Sequence, residues 1–202
     1  MSPHRINFDL HRAGGLWLWV LLLIFAWSSV YMNLGAVYTT VTRLAFDYRN
    51  PWTDLPLREK PLEQAALNWR VAESVGRELM ARAGAAQGFS VESPVSFRID
   101  RAHGVYIYHV HSSLDFQDRY GETRLFFDAD TGERRLLSLP SGQYAGNTVT
   151  AWLFALHKAN VFGLSYRILV CLLGVAIVML SVTGVIIWLR KRQARRHRRR
   201  SL

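Results

Sequence analysis

LSYRILVCLLGVAIVMLSVTGVIIWL, residues Leu164–Leu189, runs directly into Arg190-Lys191-Arg192. A second apolar stretch, from about Gly14 to about Val37, lies near the other end of the chain. Each is longer than the roughly 20 apolar residues a helix needs to cross the hydrocarbon core of a bilayer. Neither contains Asp or Glu, and the only basic residue in either is Arg167. A core helix of a soluble protein has no reason to be apolar on every side for so long. The two stretches predict a membrane protein with a small domain between two spans.

The 202 residues leave room for one extramembrane domain of about a hundred residues. The formal net charge of +10 is unevenly spread: positions 43–158 hold 14 Lys/Arg against 14 Asp/Glu. The excess sits in Arg5 and Arg12 before the first span and in the run from Arg190 to Arg200 after the second. Short basic flanks stay in the cytoplasm. Both termini are therefore expected inside, with the central domain outside, which for a bacterial inner membrane is the periplasm. A basic run can also be a nucleic-acid arm; beside a span it reads as a topology determinant touching anionic headgroups. No nucleic-acid partner is expected. The first span is too long for a signal-peptide core and lacks a small-x-small cleavage site, so it reads as a signal anchor. Trp17, Trp19, Tyr38 and Trp188 suit the interfacial aromatic belts. Cys171, the only cysteine, falls inside the second span and leaves the outer domain without a disulfide or thiolate metal site.

Pro51, Pro56 and Pro61 punctuate a loop from Asp47 to Pro61. Pro61 suits the first position of a helix and Glu63 its first turn, and Leu62, Ala65, Trp69, Ala72, Val75 and Leu79 form one apolar face. Gly84 is its expected stop. The period then becomes two: Val95, Phe97 and Ile99, then Val105 and Ile107 against Tyr106 and Tyr108, with the tyrosines reading as sheet core. Leu125-Phe126-Phe127 leads into a turn at Asp128–Gly132, and Arg134 to Leu139 returns as a strand. The fold class is thus a membrane α+β protein, two transmembrane helices flanking a helix packed on a small antiparallel sheet. The expected segments are 1–13 (cytoplasmic), 14–40 (first span), 41–146 (outer domain), 147–163 (amphipathic interfacial helix), 164–189 (second span) and 190–202 (basic cytoplasmic tail).

The helix opening at Pro61-Leu62-Glu63-Gln64-Ala65, the strands, and Phe126-Phe127-Asp128-Ala129-Asp130-Thr131-Gly132-Glu133 together resemble a PepSY domain. Asp9-Leu10-His11-Arg12-Ala13-Gly14-Gly15-Leu16-Trp17 resembles the "LHRxxGLW" opening of a PepSY-associated transmembrane helix. Leu156-His157-Lys158 through Phe162-Gly163, then Thr183-Gly184-Val185-Ile186-Ile187-Trp188-Leu189-Arg190, resembles the closing helix of that family. The resemblance covers nearly the whole chain. It implies a bacterial inner-membrane protein of iron uptake, similar to haem-containing reductases that release iron from siderophores on the periplasmic side. Such members have four spans where this chain has two, which implies half of that architecture, completed by a second copy or a partner subunit.

No nucleotide-binding glycine loop, serine nucleophile elbow or His-Glu-x-x-His zinc helix occurs in the sequence. No NAD or flavin site is legible either, so the electron donor lies elsewhere. The histidines carry what chemistry there is. His11 stands at the cytoplasmic entry of the first span, with Gly14 and Gly15 on the same helical face leaving space for a flat group. With the resemblance counted, it is a candidate axial ligand of haem b; the competing reading is an interfacial histidine solvated beside Arg12. His157 lies on a helix opening after Asn147-Thr148, bordering a buried stripe of Val149, Trp152, Leu153, Leu156 and Asn160. It is the second candidate ligand, against a surface histidine bonded to a carbonyl or water. Arg167 would pair with a haem propionate or simply snorkel. Because a core about 30 Å thick separates the two histidines, they belong to two iron sites, each needing a further ligand or left open. Gly174, Ser181 and Gly184 would let a helix or porphyrin approach the second span. His109 and His111 share a strand face with His103 further along, and read as an ordinary polar face sooner than as a two-histidine metal ribbon.

Three functions remain open: a haem protein carrying electrons to a periplasmic ferric-siderophore complex, a tethered PepSY module that recognises a partner, and an assembly subunit of a larger complex.

Overall fold

The computed structural model describes the backbone of residues 3–200 and the side chains of residues 6–193. Arg5 and the basic residues beyond 193 lie outside the described side chains. The chain divides into two compact units, one joining the segment through Trp27 with that from Phe162 onward, the other formed by Ser28–Val161.

The first unit is made of two long helices, α1 (Pro3–Asn33), whose last turns belong to the second unit, and α6 (Gly163–Arg200). The stretches Ile6–Asn33 and Gly163–Gln193 are long and apolar enough to cross a membrane, and little of either is buried within the chain. Two such helices, apolar and outward-facing, make this a two-pass membrane protein in a lipid bilayer. Trp17, Trp19 and Trp188 are exposed, as belt residues should be.

The second unit continues from the last turns of α1 into α2 (Gly35–Ala45), across a break at Leu34. The short α3 (Pro51–Asp54) and α4 (Trp69–Gln87) follow, then β1 (Val91–Asp100), β2 (Val105–Ser112), β3 (Thr123–Asp128) and β4 (Arg134–Ser138), and α5 (Ala145–His157). The strands form an antiparallel meander in the order β1-β2-β3-β4. Alternation decides which side chain faces where. Tyr106, Tyr108 and Val110 of β2 lie beside Phe127, Leu125 and Thr123 of β3, and this face packs against Ala72, Met80 and Ala83 of α4. The tyrosines are sheet core, as their spacing predicts. A methyl at Gly76 would stand 3.0 Å from Phe127 Cε1, so the close seating of α4 on the sheet needs glycine there. On the opposite face Val105, Ile107 and Phe126 pack with Leu55, Trp52 and Leu136.

The helix on the sheet starts later than Pro61. Asn68 caps it, its side chain accepting from Val71 N at 3.0 Å. Residues ahead of the cap are still core, because backbone bonds tie them to the sheet's turns: Leu62 N donates to Arg101 O at 2.8 Å and Leu67 N to Ala129 O at 3.2 Å. Gly84 is inside the helix; Gly88, at φ 75°, supplies the left-handed stop. The Asp128–Gly132 turn forms as read. Asp128 Oδ1 accepts from the amides of Asp130 and Thr131, both at 2.9 Å, and Oδ2 from Arg135 at 2.8 Å. Burial opposes the charge on Asp128, yet Arg135 and those amides hold its carboxyl down to about 2.

Two assignments in the helices change. Tyr38 is not a belt residue: it is fully buried, its hydroxyl 2.8 Å from Thr150 Oγ1, because the break at Leu34 lets α2 lie against α5. The buried stripe of α5 is Gly146, Thr150, Ala151 and Ala155 instead of Val149, Trp152, Leu153 and Leu156. Small side chains let α2 and its following loop come close, and a methyl at Gly146 would meet Tyr48 Cβ at 2.7 Å. Asn160 is buried as its place in the stripe suggests, with Nδ2 donating to Gln117 Oε1 at 2.7 Å.

Candidate functional site

In the first unit, His11 is half-buried and its Nδ1 lies 3.1 Å from Leu180 O and 3.1 Å from Thr183 Oγ1 of α6. A carbonyl only accepts, so the partner assigns the proton of the neutral ring to Nδ1. Thr183 accepts from the ring while its own hydroxyl donates to Met179 O at 2.8 Å. Nε2 then carries the lone pair, the form in which an imidazole binds a metal. Gly184 makes the place for the ring: a Cβ there would be 3.1 Å from His11 Cε1. Gly14 is not open space. A methyl on it would sit 3.2 Å from Leu180 Cδ2, whereas Gly15 has nothing within 4 Å. Of Gly174, Ser181 and Gly184, Gly184 packs against His11, Ser181 bonds back to Ile177 O at 2.9 Å, and nothing stands within 4 Å of a methyl at Gly174.

This geometry joins the two ends of the sequence, since His11 belongs to the opening motif and Thr183-Gly184 to the closing one. The PepSY-associated TM region family model matches residues 1–191. The chain belongs to that family. No curated protein matches it. The opening and closing stretches of the matched region thus meet at one imidazole.

In the second unit, His157 is the last residue of α5 and half-buried. Its Nδ1 lies 2.7 Å from Ser28 Oγ, near the C-terminal end of α1. A hydroxyl both donates and accepts, so this bond fixes the ring's orientation and not its tautomer. Arg167 lies one turn into α6 and is half-buried.

A chamber of about 60 Å³ with mixed polar and apolar walls adjoins this end of α1 and α5, lined among others by Tyr31, Tyr48, Glu122, Arg124, Asn147 and Phe154. Tyr31 is three residues from Ser28, and Phe154 three from His157, so the chamber shares a helix face with that pair. Glu122 and Arg124 form an ion pair in its wall with side chains 17% and 24% exposed. Burial pushes the Glu122 carboxyl above the ordinary range, Arg124 opposing the rise and Asp115 adding to it. Sequence reasoning missed this pair. Its signal was the Glu-x-Arg spacing at the start of a strand, which puts both side chains on one face.

The strand histidines are otherwise occupied. His109 gives Nε2 to Gly121 O and Nδ1 to Ser96 Oγ at 3.3 Å. His111 bonds Gln117 O through Nε2 at 3.0 Å and Glu92 through Nδ1 at 2.9 Å. His103 pairs with Asp100 at 3.0 Å. Burial, then Arg124, lowers His109 to about 4, while for His111 burial is outweighed by Gln117 O and the carboxylates of Asp115 and Glu92, which raise it. Among the described residues no group of three or more His, Cys, Asp or Glu is arranged to hold a metal ion.

Proposed function

We propose that this protein binds haem b at His11 and His157 and passes electrons across the inner membrane to a periplasmic ferric complex, in keeping with the ferric-siderophore reduction implied by its resemblance. The observation carrying the reading is His11: its Nδ1 proton is committed to Leu180 O and Thr183 Oγ1, which would leave Nε2 to hold the iron, and Gly184 gives the imidazole ring its seat. When bound, haem supplies the one-electron chemistry. Thr183 and Leu180 hold the His11 ring and its tautomer. Ser28 orients His157, and Arg167 offers a guanidinium to a propionate. One electron from a cytoplasmic donor converts Fe(III) outside to Fe(II). Each histidine supplies one ligand, so a second copy of the chain or a partner subunit supplies another. Both termini are cytoplasmic and the sheet domain is periplasmic, by the basic flanks.

A tethered recognition or assembly module is the second reading, favoured by the same bonds: His11 clasping Leu180 and Thr183 is already a satisfied helix contact without a cofactor. Detergent-purified protein from haem-replete cells separates the two. The redox reading expects a Soret band with reducible α and β bands, weakened in His11→Ala and again in His157→Ala. A spectrum unchanged in both variants rejects the ligand assignment, and colourless protein leaves the tethered module.

A further inference from the structure

Leu34 and the helix α2 carry a face that no part of the second unit covers. Leu34, Val37, Val41 and Leu44 recur at steps of three, four and three, which stacks them on one side of a helix. All four are exposed, Leu44 by 85%. Tyr38 and Thr42 occupy a different side and are buried, Tyr38 against Thr150 of α5. Thr40 and Arg43 make a third, exposed and polar edge, where Arg43 Nε donates to Tyr48 O at 3.2 Å. The stretch Gly35–Ala45 has no acidic residue, and Arg43 is its sole charge.

Chain continuity says what covers the stripe. A single residue, Leu34, separates α2 from Asn33, the last residue of a span of 28 residues, which is already longer than the roughly 20 that the hydrocarbon core needs. The chain therefore emerges at the polar boundary of the bilayer when α2 begins. The backbone break at Leu34, φ −128° and ψ 54°, ends α1 there. A second copy fits less well, since a stable protein interface engages about 20–30 residues a side and this stripe has four. We infer that α2 is an interfacial helix, with Leu34, Val37, Val41 and Leu44 inserted among the acyl chains of the leaflet where α1 ends, and Thr40 and Arg43 toward headgroups and water. Amphipathic helices of this kind bury their apolar side about 5–10 Å into the headgroup–acyl boundary. Through the Tyr38–Thr150 bond the same helix holds α5 at the lipid surface, independently of any cofactor.

The test uses the full chain in phospholipid nanodiscs, with Cys171→Ser as background and one environment-sensitive fluorophore at each of Val37→Cys, Thr40→Cys, Val41→Cys, Arg43→Cys and Leu44→Cys. A lipid carrying a nitroxide high on its acyl chain is the quencher. Labels at 37, 41 and 44 should be quenched several-fold more than those at 40 and 43, whether a disc holds one copy or two. Equal strong quenching at all five positions would mean that α2 runs through the hydrocarbon and overturns the inference. Weak quenching at all five would put the helix in water and overturn it too. Stripe quenching that disappears when a second copy enters the disc would assign the face to a dimer and equally overturn it.

Discussion

The two faces of the sheet are built on different principles. Toward α4, Phe97, Tyr106 and Phe127 stack in one aromatic layer, Phe97 and Tyr106 with ring centroids 5.1 Å apart, and Trp69 closes its edge 4.7 Å from Phe97. The polar atom of that layer, Tyr106 Oη, is satisfied by Leu67 O at 2.8 Å. Toward the other side the apolar group of Ile107 and Phe126 gives way along the same strands to His109, facing Arg124, and to the Glu122–Arg124 pair at the chamber wall. One face supplies stability through area removed from water, which needs no particular geometry. The other keeps charges partly out of water, which is tolerable only while each has its partner. The charged end of that face lines the chamber, so the difference marks which half of the sheet borders it.

The comparison breaks most visibly at Phe127. Replacing it by Ala should cost about 3–5 kcal/mol, measured on the full chain in detergent by denaturant titration followed through Trp69 and the other tryptophans. A loss under about 1 kcal/mol would mean that the aromatic layer is not what holds the domain. Next comes Arg124→Met, which strands Glu122: a loss of roughly 2–3 kcal/mol is expected at neutral pH, below the 3–5 of a fully buried pair because both side chains keep some exposure. Glu122→Gln in the same chain should recover part of it, and strict additivity of the two changes would deny that they interact.

Titration sharpens the contrast further. His109, lowered to about 4 from 6.5, contributes stability that is complete above about pH 6.5 and lost as pH falls through 4. Discounted for its remaining exposure, this amounts to about 2 kcal/mol. The protection of the β2 amides against hydrogen exchange, corrected for the intrinsic rate at each pH, should therefore fall between pH 6.5 and 4, and a His109→Gln chain should show a flatter slope. Glu122 has the opposite sign, since its carboxyl is raised: what it contributes is present below the ordinary carboxyl range and lost as pH rises through its folded value. The smallest effect belongs to the exposed Glu73–Arg77 pair on α4, where Arg77→Ala should change stability by about 0.3–0.5 kcal/mol.

The spans, the four strands and the Asp128 turn were legible because each rests on a local pattern: unbroken apolar length, alternation, or side-chain bonds within a few residues. The helix start at Asn68 was not, because Leu62 and Ala65 continue the apolar rhythm although the backbone there is tied to the sheet's turns, Leu62 N bonding Arg101 O and Ala66 N bonding Asp130 Oδ1. The packed side of α5 escaped because close approach selects Gly146, Ala151 and Ala155, residues that hydrophobic periodicity scarcely registers. At the site, the motifs pointed to His11 and His157, but their partners Leu180, Thr183 and Ser28 lie 129 to 172 positions away along the chain. No spacing rule reaches that far.

The strand order has one more consequence. Every strand pairs only with its neighbour in sequence, so each closure joins residues separated by a short turn and loses little chain entropy. None of these pairings waits on a residue of the second span, because α6 begins at Gly163, well after β4 closes the sheet at Ser138.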